Sequence, residues 1–192
     1  MSETTAPIAV HDANVLYSAP LRHLLIWLAV VEAFDARWTE TIQDEWTRSL
    51  LANEPRLDPA RIARTRQLMD VHIPDGLVTG YEARIAGLLL PDPDDRHVLA
   101  AAIHCGATII ITKNLKDFPA AVLAPLGIEA IHPDTFVRRL FDENPDAVLA
   151  AAKAHRADLK SPPRSPADYL VALEGQEMAE TATALRARAQ DL

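Results

Sequence analysis

Residues 95–118 read DRHVLAAAIHCGATIIITKNLKDF. Arg96 to His104 reads as a helix preceded by a loop, and Gly106 stops it. Thr108 to Thr112 is an apolar, β-branched run. Such a run suits a central strand of a parallel sheet, because a strand covered on both faces need not alternate. Lys113 to Phe118 is then a polar loop at that strand's carboxyl end. In parallel α/β sheets, functional groups collect there.

The flanking sequence extends the same pattern. Ile8-Ala9-Val10-His11-Asp12 is a short apolar strand ending on a carboxylate. Ser18 and Pro20 open a helix carrying Leu21, Leu24, Leu25 and Leu28, apolar nearly all round and so largely buried. Trp38, Ile42, Trp46 and Leu50 recur at i+4, a helical stripe. Asp58 and Pro59 start a further helix to about Met69, with Arg61, Arg64 and Arg66 on its exposed face. Pro74-Asp75-Gly76 is a turn, Leu77-Val78-Thr79 a short strand, and Tyr81 to Leu88 helical. Pro91 to Asp95 is a loop, since prolines at 91 and 93 forbid a helix interior. Beyond Phe118, a helix begins at Pro119 or Ala120, and Ile128 to Ile131 is a last strand. Strands alternating with helices predict an α/β fold with a parallel sheet. After Asn144-Pro145, Asp146 to Ala154 reads as a helix, residues 160–166 as a linker, and residues 167–191 as a final helix. The expected division is a sheet-bearing domain over 1–144 and a helical extension over 145–192.

Composition narrows the function. The 192 residues are 49% hydrophobic with a net charge of -8, which excludes a wholly disordered chain and a general polyanion binder. The longest apolar run, Leu24 to Val31, is too short to span a membrane. The N-terminal segment has no basic or apolar signal-peptide region, and Cys105 is the single cysteine, so the simplest expectation is a cytoplasmic protein. The seven histidines and Cys105 show no zinc-ligand spacing.

Four regions, scattered in sequence, are expected to converge on the carboxyl edge of the sheet. Asp12 closes the first strand, and Asn114 and Asp117 follow the Ile109–Ile111 strand. Asp95 stands at the start of a helix, where the macrodipole favours its ionised form. Glu45 flanks the apolar stripe between Ile42 and Trp46. Carboxylates this close raise each other's pKa unless a cation joins them. Mg²⁺ and Mn²⁺ prefer oxygen donors and can drive in-line phosphoryl displacement. Singly, each of these residues also fits an ordinary cap or turn. Their order and spacing carry the metal reading.

Asp12-Ala13-Asn14-Val15-Leu16, Ile42-Gln43-Asp44-Glu45-Trp46, Asp95 to Ala102 with Gly106-Ala107-Thr108, and Thr112-Lys113-Asn114-Leu115-Lys116-Asp117-Phe118 together resemble the PIN-domain family, of the VapC toxin type. The resemblance covers about residues 8–140. It implies a Rossmann-like sheet and a Mg²⁺- or Mn²⁺-dependent endoribonuclease cutting single-stranded or structured RNA to a 5′-phosphate and a 3′-hydroxyl. By that analogy Asp12 and Asp95 are metal ligands, with Glu45 placing a second metal or the attacking water. The fourth acidic position falls on Asn114, where the family often has Asp; Asn114 and Asp117, three residues later, are the two alternatives for it. The resemblance also implies a toxin–antitoxin pair, with a small antitoxin inserting a basic residue among the carboxylates, and a homodimer, for which Leu21 to Val31 is a candidate surface.

Arg48, Arg96 and His97 are candidate RNA contacts, and Arg56, Arg61, Arg64 and Arg66 could extend a basic rim. Helix arginines also form solvated pairs, and Arg48 is one turn from Glu45. The rival to the nuclease is a non-catalytic RNA-binding or scaffold protein on a PIN fold, which Asn114 favours; a DNA nuclease is separable by substrate. Only six of the 19 basic and seven of the 27 acidic residues follow Asn144, leaving 13 against 20 before it. Lys153, Arg156, Lys160 and Arg164 could therefore guide RNA, or the extension could simply pack onto the core.

Overall fold

The computed structural model describes residues 6–160 and 162–192. The first five residues of the segment read for a leader, and Ser161 of the expected linker, lie outside the described residues. Four parallel strands form one sheet: β1 (Ile8–His11), β2 (Asp35–Arg37), β3 (Ile109–Ile111) and β4 (Glu129–Ile131), in the order β2-β1-β3-β4. Val10 pairs with Arg37 on one side and Ile110 on the other. Ala9, Val10, Ile110 and Ile111 are fully buried, as expected of strands covered on both faces. The chain leaves β1 toward β2 and later enters β3 on β1's other side. That reversal opens a crevice beyond the carboxyl ends of β1 and β3, where α/β proteins place their sites.

Among the described residues, ten α-helices surround the sheet: α1 (Ala13–Tyr17), α2 (Ala19–Val30), α3 (Glu40–Asn53), α4 (Pro59–His72), α5 (Arg96–Cys105), α6 (Ala120–Leu123), α7 (Pro133–Glu143), α8 (Pro145–Asp158), α9 (Pro166–Glu174) and α10 (Ala179–Arg186). Their starts follow local chemistry. Thr39, Asp58, Asn144 and Ser165 each accept a backbone N–H of the first turn, and prolines occupy the first positions of α4, α8 and α9. Gly106 ends α5 in the left-handed region at φ 70°, letting the Ala107 N–H reach Ala102 O.

The structure departs from the sequence expectations in six places. Trp38 belongs to the end of the β2 segment and not to α3. Its N–H donates to Gly76 O and its carbonyl accepts from the Val78 N–H, so the expected 77–79 strand is one bridge, between Trp38 and Leu77. Gly76 is required there, because a Cβ would lie 2.6 Å from the Trp38 ring. Residues 82–87 form a 3₁₀ helix. The expected final helix is broken over Gly175–Met178 into α9 and α10. β2 and α7 were not foreseen. β2 has no β-branched residue and is extended because β1 pairs with it; α7 begins after His132, an unusual cap whose Nδ1 accepts the Asp134 N–H.

One hydrophobic core runs through the sheet and the C-terminal helices, joining Val10 and Ile110 to Phe136, Val148, Tyr169, Leu173, Met178 and Leu185. α8 packs along α2, and α10 along α7. The α2 face offered as a dimer surface is therefore covered from within the chain, with Leu21, Leu24, Leu25 and Leu28 fully buried. The other flank of α2, with Ala19, Arg22, His23, Ile26, Trp27 and Val30, borders an open cavity.

Candidate metal centre

Beyond β1 and β3 lies an open cavity of about 450 Å³ whose walls include Asp12, Asn14, Tyr17, Glu45, Trp46, Asp94, Asp95 and Asn114. The strand ends build its floor. Asp12 N–H continues the ladder onto Ile111 O at 3.0 Å. This places Asp12 beside Thr112, whose hydroxyl donates to Asp12 Oδ2 at 2.7 Å. Asn14, two residues on, donates to the same oxygen at 2.5 Å and to Thr112 Oγ1 at 3.0 Å. Its Oδ1 accepts the Lys113 N–H at 3.0 Å, tying the loop after β3 to α1. Burial pushes the Asp12 carboxyl above its ordinary pKa; the Thr112 hydrogen bond opposes this, and the Glu45 charge adds to it.

Asp95 stands just before α5 on the same crevice. Burial, and then the charges of Asp12, Asp92 and Asp117, push its pKa up to about 6. Oxygens of Asp92, Asp95 and Asp117 all lie within 4.8 Å of one another. Asn114 reaches this trio through a hydrogen bond from its amide to Asp117 Oδ2. The two residues the sequence posed as alternatives are thus hydrogen-bonded partners, one lining the cavity and one adding charge.

Glu45 comes to the cavity wall from α3. Its partner is His97 on α5, Nε2 to Oε1 3.0 Å, and not Arg48. His97 is buried, so it faces Glu45 and not the solvent rim where an RNA contact would stand. Arg48 is exposed on α3 and Arg96 half-buried on α5. Neither lines the cavity, and neither forms an ion pair among the described residues. Arg66 is committed elsewhere, bound to Asp44 at 2.7 Å and to Glu40.

Sequence reasoning missed three contributors. Asp92 lies in the Pro91–Asp95 loop, and nothing in that run says which aspartate turns toward Asp117. Thr112 and Asn14 stood within the quoted motifs without an assigned role. A signal for both existed in their positions, at the end of one strand and two residues past the end of its neighbour.

The donor set is all oxygen, anionic and short of internal cations, which fits a hard divalent ion such as Mg²⁺ or Mn²⁺. Asp95's pKa is raised first by burial and then by the neighbouring carboxylates, the part a bound cation would offset. Comparison with known proteins places this arrangement in context. The PIN domain family matches residues 9–116, and the VapC50 C-terminal domain family matches residues 133–187. A relative in Mycobacterium tuberculosis, "Putative ribonuclease VapC50", is 38% identical over 117 residues, covering 59% of this chain and 68% of that protein. No solved structure matches. With the match extending over more than half of its length, on a parallel sheet whose carboxyl edge gathers the acidic residues, this chain belongs to the PIN-domain family.

Proposed function

We propose that this protein is a Mg²⁺- or Mn²⁺-dependent endoribonuclease, the toxin of a toxin–antitoxin pair. The observation that carries the reading is the approach of Asp92, Asp95 and Asp117 within 4.8 Å beside Asp12, with no lysine or arginine side chain bonded to them among the described residues. The relative's name and the two family matches support it.

Asp92, Asp95 and Asp117 would hold the ion, with the neighbouring Asp12 carboxylate facing the same crevice. A divalent ion held there supplies the positive charge that activates water and offsets charge building on a phosphodiester. The protein's own groups set the stage. Thr112 and Asn14 fix the orientation of Asp12 by donating to one of its oxygens. His97 fixes Glu45 on the α3 wall, where its carboxylate can orient an incoming water and accept its proton. Asn114 orients Asp117. Arg48 and Arg96, both outside the cavity wall and without an acidic partner among the described residues, are our candidates for contacts to RNA phosphates. A small antitoxin would silence the site by presenting a basic side chain to the uncompensated carboxylates. We assign the nuclease unit to residues 1–144 and the helical extension to residues 145–192, acting in the cytoplasm.

The test is incubation of the purified chain with single-stranded and structured RNAs in Mg²⁺, Mn²⁺ or EDTA. Cleavage in either metal, giving 5′-phosphate ends and stopped by EDTA, is expected. RNA binding without cleavage in any metal would establish the scaffold reading instead. Cleavage of DNA in preference to RNA would overturn the substrate.

A further inference from the structure

The turn between α9 and α10 reaches across the molecule to the loop that completes the carboxylate cluster. Lys113 Nζ, between Thr112 and Asn114, lies 2.8 Å from Glu177 Oε2. One residue earlier, Gln176 Oε1 accepts a hydrogen bond from Ser18, at the junction of α1 and α2. His132, at the end of β4, lies 3.9 Å from the same Glu177 oxygen. The turn thus touches three segments that end at the carboxyl edge of the sheet.

The turn is built as a fixed post. Met178 is fully buried, and its N–H closes a six-residue loop onto Leu173 O, while the Glu177 N–H bonds Glu174 O. This is a Schellman helix end, and it puts Glu177 in the left-handed position at φ 64°. Glycine is the residue that position favours, and α5 uses Gly106 there. Immediately after the turn, the buried Asp134 carboxylate accepts the backbone N–H groups of Glu180 at 2.9 Å and Thr181 at 2.8 Å. α10 is thereby pinned to α7, and the turn cannot drift with respect to β4. A glutamate in a glycine position, on a rigid post, with its carboxylate on the site loop, is a backbone cost matched by a side-chain contact.

We propose that Glu177 is a positioning residue for the metal-site loop. By tethering Lys113 it fixes the Thr112–Asp117 segment, so the C-terminal helices complete the nuclease site geometrically without lining it. Lys113 is held at both ends: Glu177 takes its ammonium, and Asn14 takes its N–H and in turn binds Asp12. A displacement there moves Asn114 and Asp117 relative to Asp12, and displacements on the order of 1 Å cost about 100-fold in well-aligned sites. This inference rests on the nuclease reading above.

The experiment uses the full chain as wild type, Glu177→Gly and Glu177→Gln. Three quantities are read: Tm, hydrogen exchange over residues 112–118, and kcat and KM on RNA in Mg²⁺. Glycine relieves the left-handed backbone and removes the tether, so a Tm equal to or above wild type is expected. Exchange at residues 113–117 should rise, and kcat should fall roughly ten-fold with KM little changed. Glutamine keeps an acceptor for the ammonium and should recover part of both effects. Unchanged exchange over 113–117 in Glu177→Gly would overturn the proposal. So would an activity loss that merely follows a fallen Tm, which would make the residue structural. If the wild type cleaves no RNA in Mg²⁺ or Mn²⁺, the nuclease reading fails. The exchange data then still decide whether Glu177 fixes the loop.

Discussion

At the scale of single residues, the centre is an argument about unbalanced charge. Asp95 has its pKa pushed up to about 6, first by burial and then by Asp12, Asp92 and Asp117. In metal-free protein the folded state therefore binds this proton more tightly than the unfolded chain does. Asp95's contribution to stability is present below about pH 4 and is lost as pH rises through about 6. Asp95→Asn should accordingly raise the Tm in EDTA at about pH 7.5, with the gain shrinking toward pH 4. In Mg²⁺ the order should invert, because only the wild type keeps the charged ligand. A gain that ignored both pH and Mg²⁺ would show that Asp95 is not part of a charge cluster. Asn114 and Asp117 give a second contrast. Asp117 brings charge to the trio, and Asn114 holds it by a hydrogen bond. Asn114→Ala should then cost about ten-fold in activity, and Asp117→Ala more, measured as kcat/KM across a Mg²⁺ titration. Equal and negligible effects would confine the site to Asp12, Asp95 and Glu45.

Among the elements, the most exposed prediction concerns α10. Its N-terminus is capped by Asp134 of α7, a buried carboxylate taking two backbone N–H groups. Asp134→Ala leaves the buried Thr181 N–H and the part-buried Glu180 N–H without their partner, at about 1–3 kcal/mol each. Together that is about 2–6 kcal/mol, and a Tm fall of at least about 4 °C follows for a chain of this size. A drop of only a degree or two would mean that water replaces the cap. This contact also shows what the sequence could and could not convey. α3, α4 and α5, with β1 and β3, were legible because caps, prolines, Gly106 and β-branched runs act within a few residues of themselves. β2 was illegible because Asp35-Ala36-Arg37 has no strand preference of its own, and its extension comes from β1. The break between α9 and α10 hides because Glu177 stands where glycine would announce a helix end. At the site, order, spacing and the family resemblance singled out Asp12, Asp95, Glu45, Asn114 and Asp117, which the fold brings to one crevice. His97 as the partner of Glu45, and Asp92 as a member of the trio, depend on how α3, α5 and two loops meet in space.

For the molecule as a whole, the question is whether the C-terminal helices are an accessory or a component. The basic strip that suggested an RNA guide is partly dissolved by the structure. Arg156 turns inward, donating to Arg164 O at 2.8 Å and Leu192 O at 3.3 Å, which leaves Lys153 and Lys160 as its exposed charges. The apolar side is stronger. α8 lies along α2, and Val148, Leu149 and Ala152 share one core with Leu21, Leu24, Leu25 and Leu28. Each buried leucine is worth about 2 kcal/mol, and whole domains are stable by only about 5–15 kcal/mol. Uncovering several at once is enough to unfold the sheet-bearing part or drive it to aggregate. Truncation after Asn144 should therefore give insoluble protein, or a soluble fraction with a sharply lower melting temperature and strong binding of a hydrophobic dye. Charge neutralisation at Lys153 and Lys160 in the full chain should leave RNA affinity nearly unchanged. The opposite pattern, a soluble and stable truncation that has lost RNA affinity, would make the extension a guide and not a wall of the core.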